Sequence, residues 1–178
     1  RNMLQLNNGD GTFSEVGQMA GVSNTDWSWA ALLADFNNDG KKDLFVTNGY
    51  GRDMINRDFV KFYANERLKH LRGKTDSRMF QMLQGIKSTP LHNYIYENTG
   101  DFIFRDQSAN WGFEEADFSH GAVYADLDND GDLDLAVNKM NKEAGIYRNN
   151  TIENKTGGNF FHRRRISGRF IPHRRRRH

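Results

Sequence analysis

Apolar residues along this chain fall in short runs separated by polar turns, and only one stretch has helical spacing. WAALLA (Trp29–Ala34) runs into one polar turn and DLFVTN (Asp43–Asn48) leaves it. GAVYA (Gly121–Ala125) and DLAVN (Asp134–Asn138) frame a second turn in the same way. Short β-rich runs on both sides of a tight turn predict hairpins. The exception lies between Asn48 and Asn93, an insertion over about 50–90. There Asp58, Phe59, Phe62, Tyr63, Glu66, Leu68 and Leu71 suggest an amphipathic helix stopped by Gly73. A second short helix from near Asp76 would place Met79, Phe80, Met82, Leu83 and Ile86 largely on one face, before Pro90 returns the chain to a strand.

The two polar turns share a chemistry. They read DFNNDGKKD (Asp35–Asp43) and DLDNDGDLD (Asp126–Asp134), each with an oxygen-bearing side chain at positions 1, 3, 5 and 9 and glycine at position 6. Ca²⁺ takes six to eight hard oxygen ligands, and alternate side chains of a tight turn can supply them around a glycine reversal. The candidate ligands of the first loop are Asp35, Asn37, Asp39, the carbonyl of Lys41, and Asp43. Those of the second are Asp126, Asp128, Asp130, the carbonyl of Asp132, and Asp134. An EF-hand is excluded, because it needs a bidentate Glu at position 12 and flanking helices. Position 12 is Val46 in one loop and Val137 in the other, and the flanks read as strands. A single Asp/Asn/Gly string would be read as an ordinary surface turn; two in one register favour metal sites.

The register extends beyond the loops. At an offset of 91 residues, Phe13 falls on Phe104, Gly21 on Gly112, Asp26 on Asp117, Ser28 on Ser119, Ala31 on Ala122 and Ala34 on Ala125. NNGDGTF (Asn7–Phe13) resembles ENTGDFIF (Glu97–Phe104), read here with one residue inserted in the second copy. Without the insertion after Asn48 the unit is about 45–50 residues, the range of four-stranded propeller blades. Modules of that kind cannot bury their apolar faces alone.

These motifs carry a family resemblance. LNNGDGTFSEV, AGV, WSWAALLADFNNDGKKDLFVTNGY, NYIYENTGDFIF, SHGAVYADLDNDGDLDLAVNK and IYRNN resemble the FG-GAP/VCBS repeat superfamily, known from the β-propeller of integrin α-subunits. They are most similar to bacterial VCBS-repeat proteins of the cartilage-acidic-protein type, often followed by an ASPIC/UnbV domain. The resemblance implies an all-β fold: a partial β-propeller of about two four-stranded blades plus part of a third, with a helical insertion. One blade would run from about Ser28 to Asp106 and a second from about Ser119 towards Ile166, with residues 1–16 the last two strands of a preceding blade. It also implies two Ca²⁺ sites, each joining the first two strands of a blade on the face opposite the usual ligand-binding loops.

Composition adjusts this picture in three places. The net charge of +2 conceals a split: residues 161–178 hold eight arginines and no acid, leaving residues 1–160 at −6. The basic segment 161–178 is therefore expected to be a disordered or aberrant tail after a propeller fragment at 1–160; a polyanion-binding role is the lesser alternative. A closed propeller needs at least four blades, so the chain is expected to be a piece of a longer one. It has no cysteine, which fits stapling by metal rather than by disulfide but does not fix a compartment.

Trp27 and Trp29 recur as Phe118 and His120. Aromatics there either line a carbohydrate platform or wedge between blades, and the wedge is favoured. His120, a candidate base or ligand by type, has no visible partner in sequence. No G-x-S-x-G, HExxH or P-loop is present. The expected function is a calcium-binding repeat module of a secreted, periplasmic or cell-surface protein that scaffolds protein or glycan binding, with neighbouring blades as further partners and neither nucleic acid nor a membrane span. The alternative is a polysaccharide-active propeller enzyme with structural calcium.

Overall fold

Each predicted hairpin pairs antiparallel, and the hairpins join into sheets of one design. The computed structural model describes residues 1–51, 60, 61, 63, 64, 88–153 and 160–164. Strands β1 (Gln5–Asn7) and β2 (Phe13–Glu15) form a two-stranded sheet. Strands β3 (Ser28–Ala34), β4 (Asp43–Asn48), β5 (Tyr94–Gly100) and β6 (Ile103–Asp106) form a four-stranded meander. Strands β7 (Ser119–Ala125), β8 (Asp134–Lys139), β9 (Gly145–Asn149) and β10 (Phe161–Arg164) form a second. The fold is a partial β-propeller: two blades, with β1–β2 standing where the outer strands of a preceding blade belong.

The repeat holds in hydrogen-bond register. Ala34 pairs with Asp43 and Ala125 with Asp134, and both first strands carry an irregularity, between Ser28 and Ala31 and between Ser119 and Ala122. The inserted residue expected in the second copy is not there. Asn7 pairs with Phe13 and Asn98 with Phe104, the same six-residue separation. Asn7 Oδ1 accepts from Gly9 N at 2.9 Å and Asn98 Oδ1 from Gly100 N at 3.0 Å, so the two turns are built alike. The sheet also takes in the first four residues assigned to the basic tail, because Phe161–Arg164 pair with β9. Phe161 is buried while the three residues after it are exposed, and the arginine run hid that edge strand.

Apolar contacts lie between blades. On one face of the first blade, Leu44, Val46 and Tyr96 pack with Ala20 and Val22 of the loop after β2. Their counterparts Leu135, Val137 and Tyr147 pack with Trp111 and Phe113 of the loop after β6. Across that second interface stand Ala34, Phe36, Phe45 and Ile95 from the rear of the first blade. Every residue of β4 is therefore buried, whereas β8 leaves Ala136 half-buried and Asn138 exposed. Each interblade loop is tied to the outer strand it covers: Phe104 N donates to Ala20 O at 3.1 Å, and Phe161 N to Trp111 O at 3.3 Å. Gly112 permits this approach, since a Cβ there would lie 2.5 Å from Phe161 O and its φ is +92°. No L side chain fits both conditions without strain.

The helical insertion lies mostly outside the described residues. Val60, Lys61, Tyr63 and Ala64 are described and helical; the remaining stripe residues and the second expected helix are not described. Its roots are described, and lie at the end of the blades away from the aspartate loops. Tyr50 bridges to Thr89, and Leu91 bridges to Asp117 at the entry of the second blade.

Candidate metal centre

Both aspartate strings connect the first and second strands of a blade, where Asx-type bonds wind them into tight loops. In the first, Asp35 receives Asp39 N on Oδ1 at 3.1 Å and Gly40 N on Oδ2 at 2.8 Å. Asn37 Oδ1 also accepts from Asp39 N at 3.1 Å. In the second, Asp126 receives Asp130 N and Gly131 N, each at 3.2 Å. Asn38 and Asn129 adopt positive φ at 58° and 59°, which asparagine tolerates, and Gly40 and Gly131 follow at 86° and 94°.

Position 9 anchors each loop to its blade. Asp43 accepts from Phe36 N at 3.0 Å and from Asn98 N, in β5, at 2.9 Å. Asp134 repeats this with Leu127 N at 3.0 Å and Asn149 N, in β9, at 2.8 Å. The two asparagines also donate Nδ2 to the carbonyl at position 8, Asn98 to Lys42 at 3.1 Å and Asn149 to Leu133 at 3.2 Å. Asn7, Asn98 and Asn149 recur at or near the ends of β1, β5 and β9, so their positions, though not their bonds to the loops, are legible in the sequence.

The loops differ in charge. In the second, carboxylate oxygens of Asp126, Asp128 and Asp130 all lie within 4.8 Å of one another. In the first, Asn37 takes the middle position. The first loop neutralises itself: Lys41 Nζ lies 3.0 Å from Asp39 Oδ2 and Lys41 N donates to Asp39 Oδ1 at 2.8 Å. Burial opposes charge on Asp39, but these bonds outweigh it and hold the carboxyl below its ordinary range. The second loop takes its cation from β9. Arg148 Nε lies 2.6 Å from Asp128 Oδ2, and Nη2 lies 2.9 Å from both Asp130 Oδ2 and Glu153 Oε1. Glu97 holds the equivalent place in the first blade and accepts from Gln107 instead, so the repeat itself gave no signal for Arg148.

Two carboxyls are costly to charge. Burial pushes Asp43 up to about 6, with Asp39 and Asp35 adding repulsion. Burial likewise pushes Asp132 up to about 6, beside the carboxyl of Asp130. Asp132 was expected to offer only its carbonyl. Its side chain is 0 % exposed; Oδ2 accepts from Ile152 N at 3.2 Å, while Oδ1 has no partner among the described residues. An unpaired buried carboxylate oxygen calls for a partner. An all-oxygen donor set of clustered carboxylates suits a hard cation such as Ca²⁺.

The opposite end of the blades is aromatic and differently charged. Trp29 and His120, one repeat apart, meet across the blades at 4.9 Å between ring centroids. His120 therefore sits in a ring contact between blades, and its Nε2 is buried without a hydrogen-bond partner. Trp29 Nε1 donates to Gly49 O at 2.6 Å. Trp27 packs on Tyr50 at 5.1 Å. Asp117 receives Lys139 at 2.9 Å and Lys142 at 3.0 Å, the first pair wholly buried. In the first blade Asp26, the counterpart of Asp117, is exposed, and Asn48, the counterpart of Lys139, bonds backbone instead: its Nδ2 donates to Thr25 O at 2.6 Å and its Oδ1 accepts from Trp27 N at 3.0 Å.

The FG-GAP-like repeat profile matches residues 1–46 and 86–137, more than half of the chain. The chain belongs to the FG-GAP-like repeat family. The gap between the two matched stretches falls on the insertion that separates β4 from β5 in this FG-GAP-like blade. No curated protein matches the chain.

Proposed function

We propose that this FG-GAP-like chain is a calcium-stabilised repeat module of a secreted or cell-surface protein, and that it scaffolds the binding of a protein or glycan. The observation that carries the reading is the triad Asp126, Asp128 and Asp130 beside the unpartnered buried oxygen of Asp132. When bound, Ca²⁺ would add positive charge to four neighbouring carboxyls, two of which, Asp128 and Asp130, already carry Arg148. The chain's own part is to hold the oxygens in place: Gly131 and Asn129 turn the backbone, while Asp134 and Asn149 tie the loop to β9. Asp35, Asn37 and Asp39 serve the first loop in the same manner, with the Lys41 carbonyl and Asp43 completing the set.

An extracytoplasmic setting suits such loops, because extracellular calcium modules work at Kd of about 10⁻⁴–10⁻³ M. Among the described residues no helix is long and apolar enough to cross a membrane. Recognition is assigned to the end opposite the loops, where the insertion leaves the scaffold. Loops on a rigid scaffold commonly carry binding.

A thermal melt in Ca²⁺ and in EGTA tests the first half of this reading. Millimolar Ca²⁺ should raise Tm, and an Asp126→Asn/Asp128→Asn chain should lose most of that rise. Identical melts in both media reject it. For the second half, glycan-array binding should vanish when residues 52–87 are replaced by a short Gly-Ser link; array binding that survives the replacement places recognition elsewhere.

A further inference from the structure

The second blade reaches into the first loop. Asn149, at the end of β9, donates Nδ2 to Phe36 O at 2.7 Å, and the Thr151 hydroxyl, whose one proton is shared with Asn149 Oδ1 at 2.7 Å, lies 3.1 Å from the same carbonyl. Phe36 sits between the candidate ligands Asp35 and Asn37. Its own N–H donates to Asp43 Oδ2 at 3.0 Å. The peptide units before and after Phe36 are thus both held, one by the loop's own anchor and the other by the neighbouring blade. Their orientation decides whether the side chains at positions 1 and 3 converge.

Asn149 is equally committed to the second loop. Its N–H donates to Asp134 Oδ1 at 2.8 Å, and Nδ2 also reaches Leu133 O at 3.2 Å. Its Oδ1 accepts from Thr151 N at 3.1 Å, and the next residue, Ile152, donates its N–H to Asp132 Oδ2. One side chain and the turn after it therefore hold backbone of both loops at once.

We infer that Asn149 is a positioning residue that couples the two loops, so that a cation in either favours the geometry the other needs and the sites fill cooperatively. The inference rests on reading both loops as calcium sites. Shared neutral hydrogen bonds of this kind support a coupling of about threefold to tenfold in affinity.

Calorimetric Ca²⁺ titration of the whole chain tests it. Single-loop constants come from Asp126→Asn/Asp128→Asn and from Asp35→Asn/Asp39→Asn. In the unmodified chain, the product of the two stepwise constants should exceed the product of the single-loop constants by about threefold to tenfold. Asn149→Ala, placed in all three backgrounds, should bring that ratio to one, an outcome a merely structural role would not produce. Amide exchange of β3–β10 checks its fold, and Thr151→Val, which removes the hydroxyl shared between Phe36 O and Asn149 Oδ1 but leaves Asn149 Nδ2 on Phe36 O, should lower the ratio part-way if Asn149→Ala unfolds. A ratio of one in the unmodified chain overturns the coupling, as does a ratio that these variants leave unchanged. Absence of calcium heat from every form rejects the calcium reading itself and the coupling with it.

Discussion

Position 2 of each loop carries a large apolar residue, Phe36 in the first and Leu127 in the second, and the two meet opposite fates. Phe36 is 0 % exposed, with Phe161 and Tyr124 ring-to-ring at 5.9 and 6.0 Å and its carbonyl held by the second blade. Leu127 is 55 % exposed. Both make the same bond to position 9 of their loops. What differs is whether another blade stands behind them. The difference teaches that a blade supplies the anchor bond of its own loop but not its own core, as expected of modules stacked in series. Val123, on the rear of the second blade, is exposed, while its counterpart Leu32 packs against the interblade core.

The largest contrast should appear on truncating position 2. Phe36→Ala is expected to cost about 3–5 kcal/mol in denaturant unfolding, whereas Leu127→Ala should stay within about 0.5 kcal/mol. Equal losses would mean that the blade interface is not the core of this molecule.

The opposite end offers a second contrast. Asp117→Ala strands buried Lys139 and should cost about 3 kcal/mol or more, while Asn48→Ala, at the neutral counterpart of Lys139, should cost about 1–3 kcal/mol. Adding Lys139→Met to Asp117→Ala should recover most of the loss. A recovery confined to a few tenths would mean that packing, not the unpaired charge, sets the cost.

pH separates the metal-free from the loaded state. Asp43 and Asp132 both titrate near 6 in the fold, above the ordinary carboxylate value. The folded chain then binds more protons than the unfolded one between about pH 4 and 6. Without Ca²⁺, stability should rise as pH falls from 7 towards 5. With Ca²⁺, protons compete for the same oxygens, so the calcium-dependent rise in Tm should shrink over that interval. Parallel trends in EGTA and Ca²⁺ would contradict the assignment.

The smallest effect concerns the built-in cations. Three aspartates plus Asn37, with Lys41 and Lys42 nearby, argue for weaker calcium binding in the first loop. Arg148 narrows that difference by lying across Asp128 and Asp130. Arg148→Gln should tighten the second loop and Lys41→Gln the first, each by a few-fold in calorimetry. A loss of affinity in either variant would show that the cation orders the loop rather than competing with calcium.

Much of the fold was legible because the repeat is written in residues with backbone duties. Gly21 and Gly112, Asn7 and Asn98, and the paired aspartate strings mark the turns that set strand order and register. The limits of the two blades follow from them. What escaped sequence reasoning comes from residues whose partners lie on another strand or another blade. Arg148 is three-dimensionally close to Asp128 yet has Glu97 as its counterpart, and Lys139, which pairs with Asp117, has the neutral Asn48 as its counterpart. Asp132 was legible as a loop position but not as a buried side chain, because burial depends on the segment around Ile152 folding over it. Strand β10 was legible only through the resemblance, which carried the second blade towards Ile166; its own pattern was masked because only Phe161 of its four residues is buried.

Calorimetric titration of Ca²⁺ into the chain, beside the Asp126→Asn/Asp128→Asn and Asp35→Asn/Asp39→Asn variants, addresses the metal loops most directly. Two bound ions are expected in the unmodified chain and one in each variant, with the first loop the weaker of the two. No calcium heat, or a stoichiometry that both variants leave unchanged, would contradict the assignment of the aspartate strings as calcium loops.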